Sequence, residues 1–395
     1  MTELVDVETT GIAHGGEAVA RHEGRVIFVR GALPGERVRV RITDAPAHGR
    51  FRRGVVDEVL QPSPDRVQPP CRYADRCGGC DWQFAAVPAQ RELKARVIRE
   101  QLQRLGREPA DRWADLLVEA VPGDVDGLRW RTRMQYAVDG QGRAGLRPYH
   151  SHDILPIDQC LLAAPDVEEL DVLGRSWPGV SEVLAVTGDE ESLALPDPRP
   201  GMAKLTETAL GRTWTLDATA FWQVHPGAAE TLATSVLDLL RPRPGEHVVD
   251  LYSGVGLFAG AVLPAIGPGG RVDAVESTAV AVKGARRSLH DAQHVHLHEA
   301  RVDRWLRDTP LRRCDLVILD PPRAGAGREV LHRIFRLKPR GVAYVACDPA
   351  ALARDVAIAR EEGWGLRSLR AFDLFPMTHH VECVALLEPI DTVTI

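Results

Sequence analysis

From His247 onward the sequence alternates short apolar runs with stretches of helical periodicity, a pattern buried by a mainly parallel sheet with helices on both faces. His247-Val248-Val249-Asp250-Leu251 reads as a buried strand, Tyr252-Ser253-Gly254-Val255-Gly256 as a tight turn, and a helix is predicted from about Leu257. A second strand, Arg271–Glu276, ends in a carboxylate about twenty residues beyond the turn. Glycines let the backbone approach a ligand at the carboxyl end of a strand, where open α/β sheets bind ligands, and the acid can hydrogen-bond a ribose diol. The turn lacks the third Gly of a dinucleotide fingerprint and the Gly-Lys-Ser/Thr of a P-loop, so nicotinamide and nucleoside triphosphates are disfavoured. A Gly-x-Gly turn followed by a surface Glu also occurs in other α/β proteins.

Two later strands carry reactive side chains at the same edge. Asp315-Leu316-Val317-Ile318-Leu319 leads into Asp320-Pro321-Pro322-Arg323, where the prolines stop the strand and stiffen the turn around Asp320. Gly341–Ala346 delivers Cys347 next to a helix start at Asp348-Pro349, where backbone N–H groups can stabilise a thiolate. A lone cysteine in a strand is usually core, and its position at this strand end argues otherwise. After the Pro-bounded turn at Phe375-Pro376, Glu382 opens a final apolar strand, and a carboxyl in apolar surroundings gains a raised pKa that suits proton transfer. His379 and His380 read as turn residues, and Cys383 as packing.

The first part of the chain differs. Arg25–Val29, Gly35–Ile42 and Gly54–Leu60 are β-branched runs separated by Gly turns, predicting a small β-barrel. The Pro-rich run from Gln61 to Pro70 marks a boundary. Ala89 to Leu105 carries Leu93, Val97, Ile98, Leu102 and Leu105 at helical spacing, and Leu128 to about Thr213 mixes strands with loops. Of the seven cysteines, Cys71, Cys77 and Cys80 cluster, whereas Cys160 and Cys314 are solitary. The beginning, Met1-Thr2-Glu3-Leu4, shows no basic-then-apolar leader and no apolar run approaches about 18 residues, so the expectation is a cytoplasmic protein without membrane contact. Clustered thiols in that compartment point to metal or catalysis instead of disulfides. A net charge of −6 does not exclude a nucleic-acid partner, because a local basic groove suffices for phosphates.

Taken in order, Asp320-Pro321-Pro322-Arg323, Ala346-Cys347-Asp348-Pro349-Ala350-Ala351-Leu352-Ala353-Arg354-Asp355 and His379-His380-Val381-Glu382 resemble the RNA uracil-C5 methyltransferase family. Asp250 to Gly256, with Glu276, resembles the S-adenosylmethionine (SAM) site of class I methyltransferases. Gly11 to Arg21 resembles the TRAM domain, an OB-like barrel that binds RNA, and Ala220-Phe221-Trp222-Gln223-Val224-His225 is similar to the segment supplying a cofactor-contacting Gln. Cys71, Cys77, Cys80 and Cys160 resemble the four-cysteine cradle of a 4Fe–4S cluster in ribosomal-RNA members. Zinc remains the alternative, since four cysteines also close a tetrahedral site.

The resemblance implies an α/β chain: a TRAM barrel over residues 1–60, a small central α/β domain with the four-cysteine site over 61–212, and a class I, Rossmann-like methyltransferase domain over 213–395, on which the 89–105 helix can pack. It implies methylation of uridine C5 in 23S ribosomal RNA through a Cys347 adduct at uracil C6, Glu382 removing the C5 proton. Gln223, Tyr252, Gly254, Glu276 and Asp320 would contact the cofactor, and Phe221 and Asp320 the uracil. Asp348 stands where members often have Asn. Phe221 and Trp222 are stacking candidates or ordinary core aromatics. Arg129, Arg131, Arg133, Arg143 and Arg147 line an RNA path or form a solvated face. Transfer RNA as substrate and a non-catalytic RNA-binding or ribosome-assembly role stay open. Nitrogen methylation is disfavoured, since Arg323 replaces the aromatic that follows Pro-Pro in such enzymes and that chemistry has no use for Cys347. Nothing in the sequence demands a protein partner.

Overall fold

The computed structural model describes residues 3–45, 51–149 and 151–390; Met1 and Thr2, part of the start read for a leader, lie outside them. Alternating inward apolar residues (Val5, Val7, Ala18, Ala20, Ile27, Val29, Val38, Val40) roll the first segment into a barrel. Its strands are β1 (Leu4–Ile12), β2 (Ala18–His22), β3 (Arg25–Arg30), β4 (Arg37–Asp44) and β5 (Phe51–Gln61), closed in the order β1-β2-β3-β5-β4. The three β-branched runs singled out in the sequence fall on β3, β4 and β5, and β1 and β2 complete the closure.

Helix α1 (Val87–Arg104) starts at a proline in its first turn, where the missing N–H costs nothing. It is wedged between two cores. Leu93 and Val97 pack with Ile12, Leu33 and Trp82 beneath the barrel, while Ala95, Ile98 and Leu102 join the core of the large C-terminal sheet. The chain then makes β6 (Val118–Glu119) before entering a five-stranded antiparallel sheet of β7 (Arg133–Val138), β8 (Ala144–Leu146), β9 (Leu155–Pro156), β10 (Glu182–Thr187) and β11 (Ser192–Pro196). The single-turn α2 (Pro165–Glu168) packs on it through Val167. A hairpin of β12 (Lys204–Ala209) and β13 (Arg212–Asp217) follows.

The remaining elements are α3 (Ala228–Leu240), β14 (His247–Leu251), α4 (Leu257–Ile266), β15 (Arg271–Glu276), α5 (Ala279–Ser288), β16 (Val295–Glu299), α6 (Val302–Asp308), β17 (Leu316–Leu319), α7 (Gly327–Arg336), β18 (Gly341–Ala346), α8 (Pro349–Glu361), β19 (Trp364–Phe372) and β20 (Glu382–Pro389). They form an eight-stranded sheet in the order β16-β15-β14-β17-β18-β20-β19-β6. The first five strands run parallel, and β20 lies antiparallel to both β18 and β19. β6 adds in parallel to the outside of β19, so the sheet takes its edge strand from a segment preceding the central sheet. Both faces are covered, with α3, α4 and α5 on one side and α1, α6, α7 and α8 on the other. Neighbours such as Val248 and Val249 are therefore both buried, toward opposite faces, which is why these strands read as unbroken apolar runs. This topology brings the carboxyl ends of β14, β15, β17 and β18 to one edge.

Candidate active site

A pocket of about 600 Å3 opens at that edge, lined by Gln223, Tyr252, Gly254, Glu276, Asp320, Cys347 and Glu382, with Phe221 at its mouth. Each wall has a local cause. After β14 the chain reverses with Tyr252 (φ 61°) and Gly254 (φ 54°) in the left-handed region, a conformation costly for the tyrosine and free for the glycine. Glu276, at the end of β15, accepts hydrogen bonds from the Gly254 N–H (3.1 Å) and the Thr278 N–H (2.6 Å), so its carboxylate fastens the turn while facing the pocket. Beneath the turn the buried Asp250 accepts from Ala259 N–H at 2.9 Å, and burial pushes its carboxyl up to about 8.

The reactive groups meet between β18 and β20. Their antiparallel ladder pairs Ala346 with Cys383, which sets Cys347 beside Glu382 at the open end. Burial, then the charge of Asp320, raises the Glu382 carboxyl well above the usual range, and Arg323 opposes the shift. Burial lifts Asp320 to about 7. The Cys347 thiol is pushed up to about 11 by burial and by Glu382 and Asp320, against the pull of Arg323. The expected stabilisation of a thiolate by the helix start is therefore outweighed: two carboxyls and a dry wall favour the neutral thiol.

Arg323 is the group the sequence reading missed. It was visible as the residue after the Pro-Pro turn, with no signal that it would line the pocket with its charge acting on both Cys347 and Glu382. His380, read as a turn residue, also lines the pocket, and burial together with His379 and Arg323 brings it down to about 4.

Phe221 is 69% exposed, whereas Trp222 is 5% exposed and packs on Trp214 with ring centroids 5.5 Å apart. Trp222 is thus a core aromatic, not a stacking surface. Arg133 is likewise no part of a solvent-facing track: its guanidinium donates to the Ala218 and Ala220 carbonyls at 2.9 and 3.1 Å and props the segment leading to Phe221. Arg143 pairs with Asp139, and Arg129 lies 3.7 Å from Glu168.

The site is braced from outside its own sheet. Asp348 caps α8, accepting from Ala351 N–H at 2.7 Å, and its other oxygen meets His14 Nε2 of the barrel at 3.0 Å. In the same barrel turn Gly16 (φ 82°) lies so close to His379 that a Cβ would stand 2.7 Å from the histidine Cβ. The turn before β20 is held by the Asp81 and Trp82 N–H groups, both donating to the Met377 carbonyl, and by Asp81 on His379 Nδ1 at 2.6 Å. From α1, the buried Lys94 pairs with the buried Asp373, and Gln90 accepts from Met377 N–H at 2.8 Å.

Cys71, Cys77, Cys80 and Cys160 line a separate cavity of about 110 Å3. Burial raises the thiols of Cys77, Cys80 and Cys160, that of Cys80 to about 12, so uncompensated they stay protonated. Tyr73 and Gly79 N–H groups each approach a sulfur, of Cys71 and Cys77, at 3.4 Å. Among the described residues no group of three or more His, Cys, Asp or Glu is arranged to hold a single metal ion. Cys383 on β20 and Cys314, just before β17, are buried in the core on one face of the sheet. No helix among the described residues is long and apolar enough to cross a membrane.

Comparison with known proteins adds lineage to this geometry. A TRAM-domain model matches residues 2–49, and one described as tRNA (Uracil-5-)-methyltransferase matches residues 276–390. A Streptomyces avermitilis protein named as an uncharacterised RNA methyltransferase is 46% identical, covering 98% of this chain and 99% of its own. One from Bifidobacterium longum with the same description is 38% identical over 96% of each chain. Among solved structures, the Pyrococcus abyssi tRNA (uracil-54, C5)-methyltransferase in complex with S-adenosyl-L-homocysteine is similar in fold, with a TM-score of 0.72 at 24% identity, covering 96% of this chain and 99% of that one.

Proposed function

From the premise that this chain belongs to the RNA methyltransferase family that joins a TRAM domain to a tRNA (uracil-5-)-methyltransferase domain, we propose that it methylates carbon 5 of a uridine in 23S ribosomal RNA, in the cytoplasm. The observation that carries this reading is the meeting of Cys347, Glu382 and Asp320 in one pocket with Gln223, Tyr252 and Glu276.

Carbon 5 of uracil is too weak a nucleophile to be methylated directly, so carbon 6 must first be attacked. The Cys347 thiolate adds there and pushes the electron pair of the 5,6 double bond toward carbon 5. Bound SAM supplies the electrophilic methyl group. Glu382 then takes the proton from carbon 5, the double bond re-forms, and the Cys347 sulfur leaves with its electron pair. Asp320 orients the uracil, Phe221 stacks on the extruded base, and Gln223, Tyr252, Gly254 and Glu276 hold the cofactor. A uridine in a loop, or one flipped from its stack, is the form that can reach such a pocket.

Ribosomal RNA is favoured over transfer RNA by the four cysteines, whose pattern resembles that of ribosomal-RNA members. We assign them a 4Fe–4S cluster, with zinc as the alternative. Their cavity, about 110 Å3, exceeds the roughly 30 Å3 share of one water, leaving room for a polynuclear group. Such a cluster would supply the compensating charge that the buried thiols need to ionise.

The test uses anaerobically purified protein with SAM and either ribosomal or transfer RNA containing 5-fluorouridine, whose fluorine blocks the final elimination. A denaturation-resistant adduct with ribosomal RNA, absent in Cys347→Ala, is expected. An adduct with transfer RNA alone would move the substrate, and binding without adduct or methyl transfer would leave an RNA-binding protein. Iron and zinc analysis of the same preparation separates the two metals.

A further inference from the structure

A second cavity of about 500 Å3 adjoins the pocket through Val280, which lines both. One wall is the turn that carries Gly201 and Lys204, and the other is the face of α5 that carries Lys283 and Arg287. Lys204 and Lys283 are exposed. Arg287 is half-buried, its Nε shielded from solvent without a hydrogen-bond partner. None of these three side chains makes a hydrogen bond or ion pair among the described residues, while most arginines in the molecule have an acidic neighbour. The wall holds one carboxylate against these three cations: Asp217 feels the charge of Arg287, and its oxygens accept from Gly201 N–H at 2.6 Å and from Thr219 N–H and Oγ1 at 2.9 and 2.6 Å. The cavity therefore keeps a surplus of positive charge. Its composition is also unusual for this chain, in which 49 cationic residues include only four lysines, Lys94, Lys204, Lys283 and Lys338. Two of the four face this one cavity.

Two exposed ammonium groups beside a guanidinium, three cations against one carboxylate, suit a phosphate. The location says which phosphate. Thr219, fastened to the cavity wall by Asp217, is two residues from Phe221, and both line the active-site pocket. Extruding a nucleotide from its stack requires the backbone beside it to be held. We propose that Lys204, Lys283 and Arg287 bind a backbone phosphate of the RNA strand adjacent to the target uridine, anchoring the strand while the base enters past Phe221. This rests on the RNA-methylating reading above and extends it to the path of the strand.

The test is the affinity of a uridine-rich RNA oligonucleotide as a function of KCl for the wild type, Lys204→Ala/Lys283→Ala and Arg287→Lys, with S-adenosylhomocysteine affinity measured on each. The double variant should bind RNA about tenfold more weakly at low salt, with the slope of log Kd against log salt reduced by about one. Arg287→Lys keeps a charge in case loss of the half-buried guanidinium harms folding, and it should retain most of the slope. Unchanged affinity and slope in the double variant would overturn the proposal. So would a matching loss of S-adenosylhomocysteine affinity, which would give the cavity to the cofactor, or competition by millimolar inorganic phosphate strong enough to displace the RNA, which would mark a free-anion site. The adduct assay keeps the two ideas apart: a wild type that forms no 5-fluorouridine adduct yet shows the slope change would lose the proposed chemistry and keep the phosphate site.

Discussion

Cys347 and Glu382 share one electrostatic problem, and Arg323 is the residue that eases it. With the thiol pushed up to about 11 and the Glu382 carboxyl also raised, both groups gain their ionised forms only as pH rises. Because Glu382 acts after the methyl group has moved, the Cys347 ionisation governs kcat/KM for methyl transfer, which should climb about tenfold per pH unit through the neutral range. A flat profile between mildly acidic and mildly alkaline pH would refute this reading of Cys347. Removing Arg323 takes away the cation that lowers both. Arg323→Ala should lose at least about tenfold in kcat/KM, with the loss deepest at low pH and partly restored in Arg323→Lys. Glu382→Gln should still form the Cys347 adduct and transfer the methyl group, then stall, so a methylated protein–RNA adduct should accumulate without fluorine in the substrate. Glu276, Asp320, Cys347 and Glu382 were legible because each ends, follows or begins an apolar strand. Trp222 was not, because adjacent residues in an irregular segment face opposite ways, with Phe221 outward and Trp222 inward, and Arg133 was not, because its carbonyl partners lie some 85 residues away. Arg323 and His380 have meaning only once the strands are assembled.

Among the elements, α8 carries the most compact device. Asp348 closes its N-terminus and also reaches His14, so one carboxylate ties the helix that follows Cys347 to the barrel. Asp348→Ala should lower stability by about 1 kcal/mol through the cap alone. Asp348→Asn retains an oxygen for Ala351 N–H and should lose less, and a double-mutant cycle with His14→Ala, read by urea denaturation, isolates the contact between the two. Helix α1 offers the larger effect. Lys94→Ala would leave Asp373 buried with only Arg91, 3.3 Å away, as a charged partner, and should cost about 3 kcal/mol in the same measurement. The apolar face of α1 was plain in its spacing. Its buried Gln90 and Lys94 were not, because polar side chains on a helix ordinarily read as solvent-facing. The strands of the parallel half announced themselves by unbroken apolar runs, but β6, two residues long, has no periodicity to detect.

Across the whole molecule, the loop that bears three of the clustered cysteines is the same loop that grips the turn before Glu382. Cys80 is followed by Asp81 and Trp82, whose N–H groups both donate to Met377 O, and Trp82 Nε1 reaches Gly16 O of the barrel at 2.9 Å. Loss of the metal group proposed for these cysteines should therefore be felt at the active site. Cys80→Ser should lose bound metal and show faster amide exchange at Met377–His380, readable without any assay of activity; protection equal to the wild type would uncouple the two. None of these junctions, His14 to Asp348, Asp81 to His379 or Lys94 to Asp373, leaves a trace in local sequence, since each joins residues hundreds of positions apart.

The edge strand β6 has a consequence for how the protein is made. It leaves the ribosome before every other strand of its sheet, yet its place beside β19 exists only after the rest of that sheet has been synthesised. The earliest piece of this sheet thus cannot be seated until nearly all of the chain has been made, which gives β6 the longest-range pairing in the sheet and a late place in folding.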